Sequence, residues 1–364
     1  MGRPDASVLH VDTERGWRGG QQQAVYLYQY MLEQGTRTDF VCRRGSRLER
    51  YMADRGHPHI ALPLSGEADI VSARAIARHA RDHSFNVLYL HSAHALSIGL
   101  MARLQNGTIR TIAVRRVDFP IRKNPLSLLK YTTRRLDRVV AISENIRRVM
   151  VSDGVPAEKI EVIRSGVDIH RFDDDVALSR DAAGVPEDSI IVGTVAGMVD
   201  HKDYPTLLRA AAKVTAANNR VTFVAAGSGP ERERILRLSD ELGLRERFVF
   251  LGERGDIGAV LKMLDIFVLA SKLEGLGTSV LDAMSVRLPV VGTLAGGIPE
   301  MVSDGENGLL VPPESHESLA EGILALVGDA KLRERLGRGA LDRVRDFDHR
   351  TMGERSLELC RSLV

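Results

Sequence analysis

Glu274 and Asp282 stand eight positions apart in the stretch EGLGTSVLDAMSVRLPVVGTLAGGIP, with a glycine-rich turn between them and a second glycine pair, Gly296 and Gly297, beyond. Ionised carboxylates are pure hydrogen-bond acceptors and vicinal diols are paired donors, so two such carboxylates suit the hydroxyls of sugars. The apolar run 266–270 reads as a buried strand, 271–277 as a loop, and Thr278 or Ser279 as the N-cap of a helix reaching about Ser285. Glu274 then lies at a strand's carboxyl end, and Asp282 about one turn into the next helix. The backbone N–H groups of Gly275, Leu276, Gly277, Thr278 and Ser279 are the open donors of that helix start, where the dipole favours an anion. A diphosphate docked on those amides leaves Asp282 to accept from ribose hydroxyls and Glu274 from those of a transferred sugar, which the Gly296-Gly297 loop would help to position.

These pieces in this order carry a family resemblance. Glu274-Gly275, then Asp282-Ala283-Met284, then AGGIPE at 295–300 and DGENGLLVPP at 304–313 resemble the retaining glycosyltransferases of family 4, whose fold is GT-B. The resemblance implies two Rossmann-like β/α/β domains with parallel sheets facing a cleft, and a nucleotide-diphosphate sugar as co-substrate with no further cofactor. It also implies Lys202 on the diphosphate and retention by same-face attack, in which the departing phosphate helps take the acceptor proton. The chain departs from the pattern twice. Asp282 stands where the family has Glu, one methylene shorter, and Gly197 stands where the family has an arginine on the diphosphate. Leaving-group charge must then fall on Lys202, the helix start near Gly277, and Arg18 or Arg116 reaching from the first domain.

Other residues offer chemistry nearer the amino terminus. Gly19 and Gly20 follow the first strand and precede a helical pattern, so the backbone there can approach donor phosphates or the reacting sugar, unless the turn is merely tight. They resemble the family's first-domain RGG loop. His91 ends the strand 86–90 and His94 follows it; either can meet a sugar hydroxyl, or serve as a cap or packing residue. After the strand 111–114 come Arg116 and Asp118, where relatives carry a His-Asp pair; Asp118 is the candidate to orient or deprotonate an acceptor hydroxyl, or to pair with a neighbouring arginine. Gly227-Ser228-Gly229-Pro230 matches the family's GxGP turn.

Elements able to position these residues alternate along the chain. Short β-rich runs at 7–11, 38–42, 87–90, 111–114, 139–142 and 160–163, then 190–195, 221–226, 248–251, 266–270, 290–291 and 308–311, are separated by segments of helical period such as 205–217. Such alternation means parallel sheets with right-handed crossovers, once in each half, with ligands off the carboxyl ends of the strands. The length fits two domains, divided at 1–170 and 171–348 near the polar segment RSGVDIHRFDDD, with a last helix at about 349–364 returning to the first domain as the family does. The first domain is assigned to the acceptor, the second to the nucleotide sugar.

Composition narrows the function. Cys42 and Cys360 offer neither a disulfide framework nor a zinc spacing, which fits a reducing cytoplasm. No basic-then-apolar leader and no long apolar run occur. Residues 1–170 hold 26 basic and 17 acidic side chains, a net +9, whereas 171–364 hold 24 and 31, a net −7. The basic half suits an anionic acceptor or the cytoplasmic membrane surface, where the protein would sit peripherally, and Arg116, Arg122 and Lys123 are its acceptor contacts; the alternative is a solvated helix face. Only 5% of residues are aromatic and no basic-aromatic interleaving suited to base stacking occurs, so nucleic acid is not expected. Neither P-loop, zincin nor nucleophile-elbow motifs occur, and Asp173-Asp174-Asp175 lies in the linker instead of after a buried strand, so no metal is expected. The expected function is transfer of a sugar to a hydroxyl of a glycan or glycolipid, such as lipopolysaccharide core or another cell-envelope glycan. The alternatives are a nucleotide-sugar epimerase or phosphorylase on the same fold, or a noncatalytic sugar-nucleotide binder.

Overall fold

The structure is a computed structural model, describing residues 5–122 and 124–364. Lys123, one of the expected acceptor contacts, lies outside the described residues. The chain divides into two units, one of residues up to Gly166 together with His349–Val364, the other Val167–Asp348. Each is a parallel sheet flanked by helices, two Rossmann-like domains of the GT-B class.

In the first unit the strands are β1 Val8–Asp12, β2 Thr38–Arg43, β3 His59–Leu62, β4 Val87–Leu90, β5 Arg110–Arg115, β6 Arg138–Ala141 and β7 Ile160–Val162, in the spatial order β3-β2-β1-β4-β5-β6-β7. β1 and β4 are buried throughout, as strands covered by helices on both faces must be; β4 reads as a continuous apolar run, and β1 carries His10 and Asp12 among its apolar residues. β3 escaped the sequence reading because HIAL at the sheet edge is only half-buried and carries no strong apolar signal. The helix His349–Ser362 completes this unit by packing on the helix Gly19–Glu33. Gly353 allows their close approach: a β-carbon there would fall 2.4 Å from Tyr30 Cγ. Arg350 adds an ion pair to Glu33 at 3.0 Å.

In the second unit β8 Ile190–Val195, β9 Val221–Ala226, β10 Phe248–Gly252, β11 Ile266–Leu269, β12 Val290–Thr293 and β13 Gly308–Val311 run in the order β10-β9-β8-β11-β12-β13. Three strands keep the expected bounds; the others differ by one or two residues at their ends. The strand order reverses direction between β1 and β4 in one sheet and between β8 and β11 in the other, so the loops leaving those strands diverge and open a crevice at each switch point. Every residue assigned to the donor in the second unit lies on or beside the loops leaving β8, β11 and β12.

Candidate functional site

At the switch point of the second sheet the loops leaving β8 and β11 are stitched together. Lys272 donates its backbone N–H to the carbonyl of His201 at 2.9 Å, and its Nζ reaches Asp200 at 3.0 Å. Lys202 closes a short 3-10 turn, Asp200–Lys202, and Asp203 follows in the left-handed region with φ 47°. That conformation is tolerated because the Asp203 carboxylate caps the helix Tyr204–Ala217, accepting from the Thr206 N–H at 3.3 Å. The turn aims Lys202 at Glu274, and the two form a largely buried ion pair. Ser271 donates its hydroxyl to the same Glu274 Oε2 at 3.1 Å. Lys202 and Glu274, given separate roles by the sequence, thus meet as one acid–base pair. An anion that draws Lys202 away would open acceptor capacity on Glu274 for another donor.

The helix after this loop is Thr278–Ser285, and its N-cap is Gly277, not Thr278 or Ser279. The reason is backbone geometry. Gly277 has φ 93°, which a side chain would resist, and that twist turns the chain sharply out of the loop. No side chain caps this helix and its first turn holds no acidic residue, so its N-terminal amides carry no competing anion of their own.

Gly296 and Gly297, expected against the sugar, pack on the backbone of the Glu274 loop. The Gly297 N–H donates to the Glu274 carbonyl at 3.0 Å. A β-carbon on Gly296 would lie 1.8 Å from that carbonyl oxygen, and one on Gly297 would lie 2.5 Å from the Gly275 oxygen. The pair therefore sets the height of the Glu274 loop by permitting two backbones to touch. Gly227 and Gly229 do the same one strand over: β-carbons there would meet the Ala196 and Met198 carbonyls at 2.0 and 2.3 Å.

Asp282 is mostly shielded, with Arg171 Nη1 4.0 Å from its Oδ1. Burial raises its carboxyl to about 6, and Arg171 pulls the other way. Arg171 is 111 positions away in the polar segment opening this unit, so no spacing pattern could disclose the contact. A carboxyl raised from 3.8 costs the fold nothing below about pH 4 and an increasing amount as it ionises towards pH 6, about 3 kcal/mol at most. For the ribose hydroxyls expected at Asp282 the ionised carboxylate is the stronger acceptor. Nucleoside diphosphate affinity is therefore expected to strengthen as pH rises through about 6, and Asp282→Asn to flatten that dependence while raising the melting temperature at pH 7.5. Calorimetric titrations from pH 5 to 8 check this, and because the diphosphate also titrates, the difference between wild type and Asp282→Asn carries the signal.

In the first unit the structure brings Gly19, Gly20 and Arg116 together. Gly19 and Gly20 open the helix Gly19–Glu33, and Arg116 Cδ lies 3.3 Å from where a β-carbon on Gly20 would stand. The Arg116 Nε is shielded from solvent without a protein partner, and burial lowers the guanidinium to about 10, opposed by Tyr89 and Asp12. Asp12, buried at the end of β1, was missed by the sequence reading. It accepts from the Glu14 N–H at 2.8 Å and from Gln21 Nε2 at 3.0 Å, and burial raises its carboxyl.

His91 follows β4 directly. Its ring is buried, with Nε2 2.9 Å from His10 Nδ1, stacked beside Phe40 and lowered well below its ordinary value by burial, the His10 and Arg116 charges adding to the effect. It is neutral through the physiological range. His94, by contrast, is half-exposed and lies 3.9 Å from Glu67. Asp118 is buried off the end of β5, and Asn145 Nδ2 donates to it at 3.4 Å. Arg122 is 70% exposed, with Nε 3.6 Å from Asp153. Asp173 and Asp175 sit in a turn whose backbone carbonyls accept from Lys262. Among the described residues no three His, Cys, Asp or Glu side chains are grouped to hold a metal ion.

Comparison with known proteins gives this geometry a family. The profile of glycosyl transferases group 1 matches residues 175–343, and that of glycosyltransferase family 4 matches residues 17–171. N-acetyl-alpha-D-glucosaminyl L-malate synthase of Bacillus anthracis is 26% identical over 76% of this chain and 74% of its own. The lipopolysaccharide core biosynthesis glycosyltransferase LpsE of Rhizobium meliloti is 32% identical over 51% of this chain and 54% of its own. The crystal structure of Anabaena Alr3699/HepE in complex with UDP and glucose superposes with a TM-score of 0.86 at 20% identity, covering 98% of this chain and 100% of that one.

Proposed function

Because the chain belongs to the family 4 type of GT-B glycosyltransferases, we propose that it is a retaining, metal-independent enzyme moving a sugar from a nucleoside diphosphate to a hydroxyl of a glycan or glycolipid. The observation that carries this reading is the shielded Lys202–Glu274 pair with Ser271 at the β8/β11 switch point, beside the uncapped start of the helix Thr278–Ser285. In this reading the diphosphate takes Lys202 and the helix amides, Asp282 takes the ribose, and Glu274 takes the sugar hydroxyls. The acceptor hydroxyl attacks the anomeric carbon on the face the phosphate leaves. A new glycosidic C–O bond forms as the sugar–phosphate bond breaks, and the acceptor proton passes to the departing phosphate oxygen. Positive charge at Lys202 and the aligned amides stabilises the diphosphate as it departs.

The acceptor belongs to the first unit in this proposal, near Arg116, Asp118 and the start of the helix Gly19–Glu33. Relatives named for lipopolysaccharide core and for L-malate support an acceptor bearing negative charge, and the net +9 of residues 1–170 is complementary to one. Among the described residues no helix is long and apolar enough to cross a membrane.

Thermal-shift titration with UDP, GDP and ADP tests the donor assignment. One nucleotide is expected to raise the melting temperature by several degrees at saturation, since a ligand of the folded state alone stabilises it. UDP is the first probe, given the Anabaena neighbour. No shift with any of the three contradicts the reading.

Gly197 gives the donor site a second test. It is exposed, its φ is not left-handed, and a β-carbon there would sit 3.7 Å from the Ser228 carbonyl oxygen, ordinary contact. Nothing steric forbids a side chain. Gly197→Arg is expected to tighten nucleoside diphosphate binding about tenfold at low salt, through one added charge-assisted contact. Unchanged affinity in calorimetry would place the diphosphate away from the β8 loop.

A further inference from the structure

Seven large apolar side chains among the described residues are more than half exposed, and four of them crowd two helices of the first unit. Ile70 and Val71, 52% and 72% exposed, open the helix Ile70–Asp82. Leu126 and Leu129, 73% and 63% exposed, belong to the helix Pro125–Thr132. Their spacing of three puts both leucines on one outward face, while Tyr131 turns inward and is buried. Lys130, in the last turn of the second helix, bonds Glu67 at 3.0 Å just before the first helix and Ser97 at 3.1 Å. The leucines are not needed to hold the second helix, which has Pro125 in its first turn and Asn124 as its cap, accepting from the Ser127 N–H at 3.2 Å.

Basic charge borders this apolar face on the side of the second helix, while Glu67, exposed just before the first, is paired with Lys130. Residues 122–138 carry six basic side chains and a single acidic one, and Arg134 and Arg135 just after the helix are exposed. Protruding leucines beside a basic flank fit a continuous anionic plane better than a recessed protein groove, and a second copy would bring like charge against like.

We propose that this face docks on an anionic lipid bilayer. Leu126, Leu129, Ile70 and Val71 enter the boundary between headgroups and acyl chains, and Arg134 and Arg135 lie over the anionic headgroups. The inference stands on the first unit alone and does not depend on which residues hold the donor.

Vesicle cosedimentation of the full chain tests it, using phosphatidylcholine alone and phosphatidylcholine with about one third phosphatidylglycerol. The wild type is expected to sediment with the anionic vesicles at least tenfold better than with the neutral ones, and to lose most of that advantage near 0.5 M salt, where the Debye length is a few ångströms. Leu126→Ser/Leu129→Ser is expected to lower the partition at least tenfold with an unchanged melting temperature, and Arg134→Gln/Arg135→Gln to lower it on anionic vesicles alone. Three outcomes overturn the proposal: no vesicle binding by the wild type, a leucine variant that binds as the wild type does, or leucine substitutions that change only the mass of the particle in analytical ultracentrifugation.

Discussion

Replacing Glu274 with alanine is expected to lower sugar transfer about a thousandfold, some 4 kcal/mol of transition-state stabilisation, while nucleoside diphosphate affinity is kept or tightens a few fold. The asymmetry follows from the ion pair. Glu274 Oε2 engages both Lys202 and the Ser271 hydroxyl, so its removal strips the sugar of a shielded acceptor and releases Lys202 to the diphosphate. Simple damage to the fold would lower both quantities together. Steady-state transfer with a UDP-sugar, set beside UDP titration of the same preparation, separates the two. Turnover within a few fold of wild type would remove Glu274 from the reaction.

Gly296→Ala is expected to remove nearly as much activity without touching a side chain of the proposed site. Its φ of +54° already costs an alanine about 1–2 kcal/mol, and the added carbon would stand 1.8 Å from the Glu274 carbonyl oxygen, so one backbone must retreat. The Glu274 loop is the element that moves, and displacements of this order in a catalytic group cost about a hundredfold or more. Gly305→Ala is the control, because Gly305 is also left-handed, at +75°, yet has nothing within 4 Å of where its β-carbon would stand. Gly305→Ala should lower the melting temperature by a few degrees with activity retained, whereas Gly296→Ala should lower it further and lose transfer. Equal effects of the two would mean that the close approach at Gly296 has no bearing on the Glu274 loop.

What could be read from residues alone was the part governed by local patterning. Buried parallel strands write themselves as apolar runs, so β8, β9 and β13 were delimited to the residue, and the strand-to-helix step at Glu274 was placed because a short loop leaves little freedom. The half-exposed edge strand β3 wrote no such signal. The Thr278 N-cap was misplaced because propensity favours a hydroxyl there, while the actual turn needs the positive φ of Gly277. Contacts between distant segments were beyond reach for a different reason. The Lys202–Glu274 pair and the burial of His91 against His10 arise only when strand order puts β8 beside β11 and β1 beside β4, and the Arg171–Asp282 approach joins residues 111 positions apart. The glycine pair Gly296 and Gly297 was visible in the sequence and was set beside the sugar, whereas its neighbour is protein backbone.

A crystal structure of the chain with a UDP-sugar bound examines the donor assignment most directly. The account expects the diphosphate on the first-turn amides of the helix Thr278–Ser285 with Lys202 turned onto it, ribose hydroxyls on Asp282, and sugar hydroxyls on Glu274. A donor held by other residues, with the Lys202–Glu274 pair intact, would contradict it.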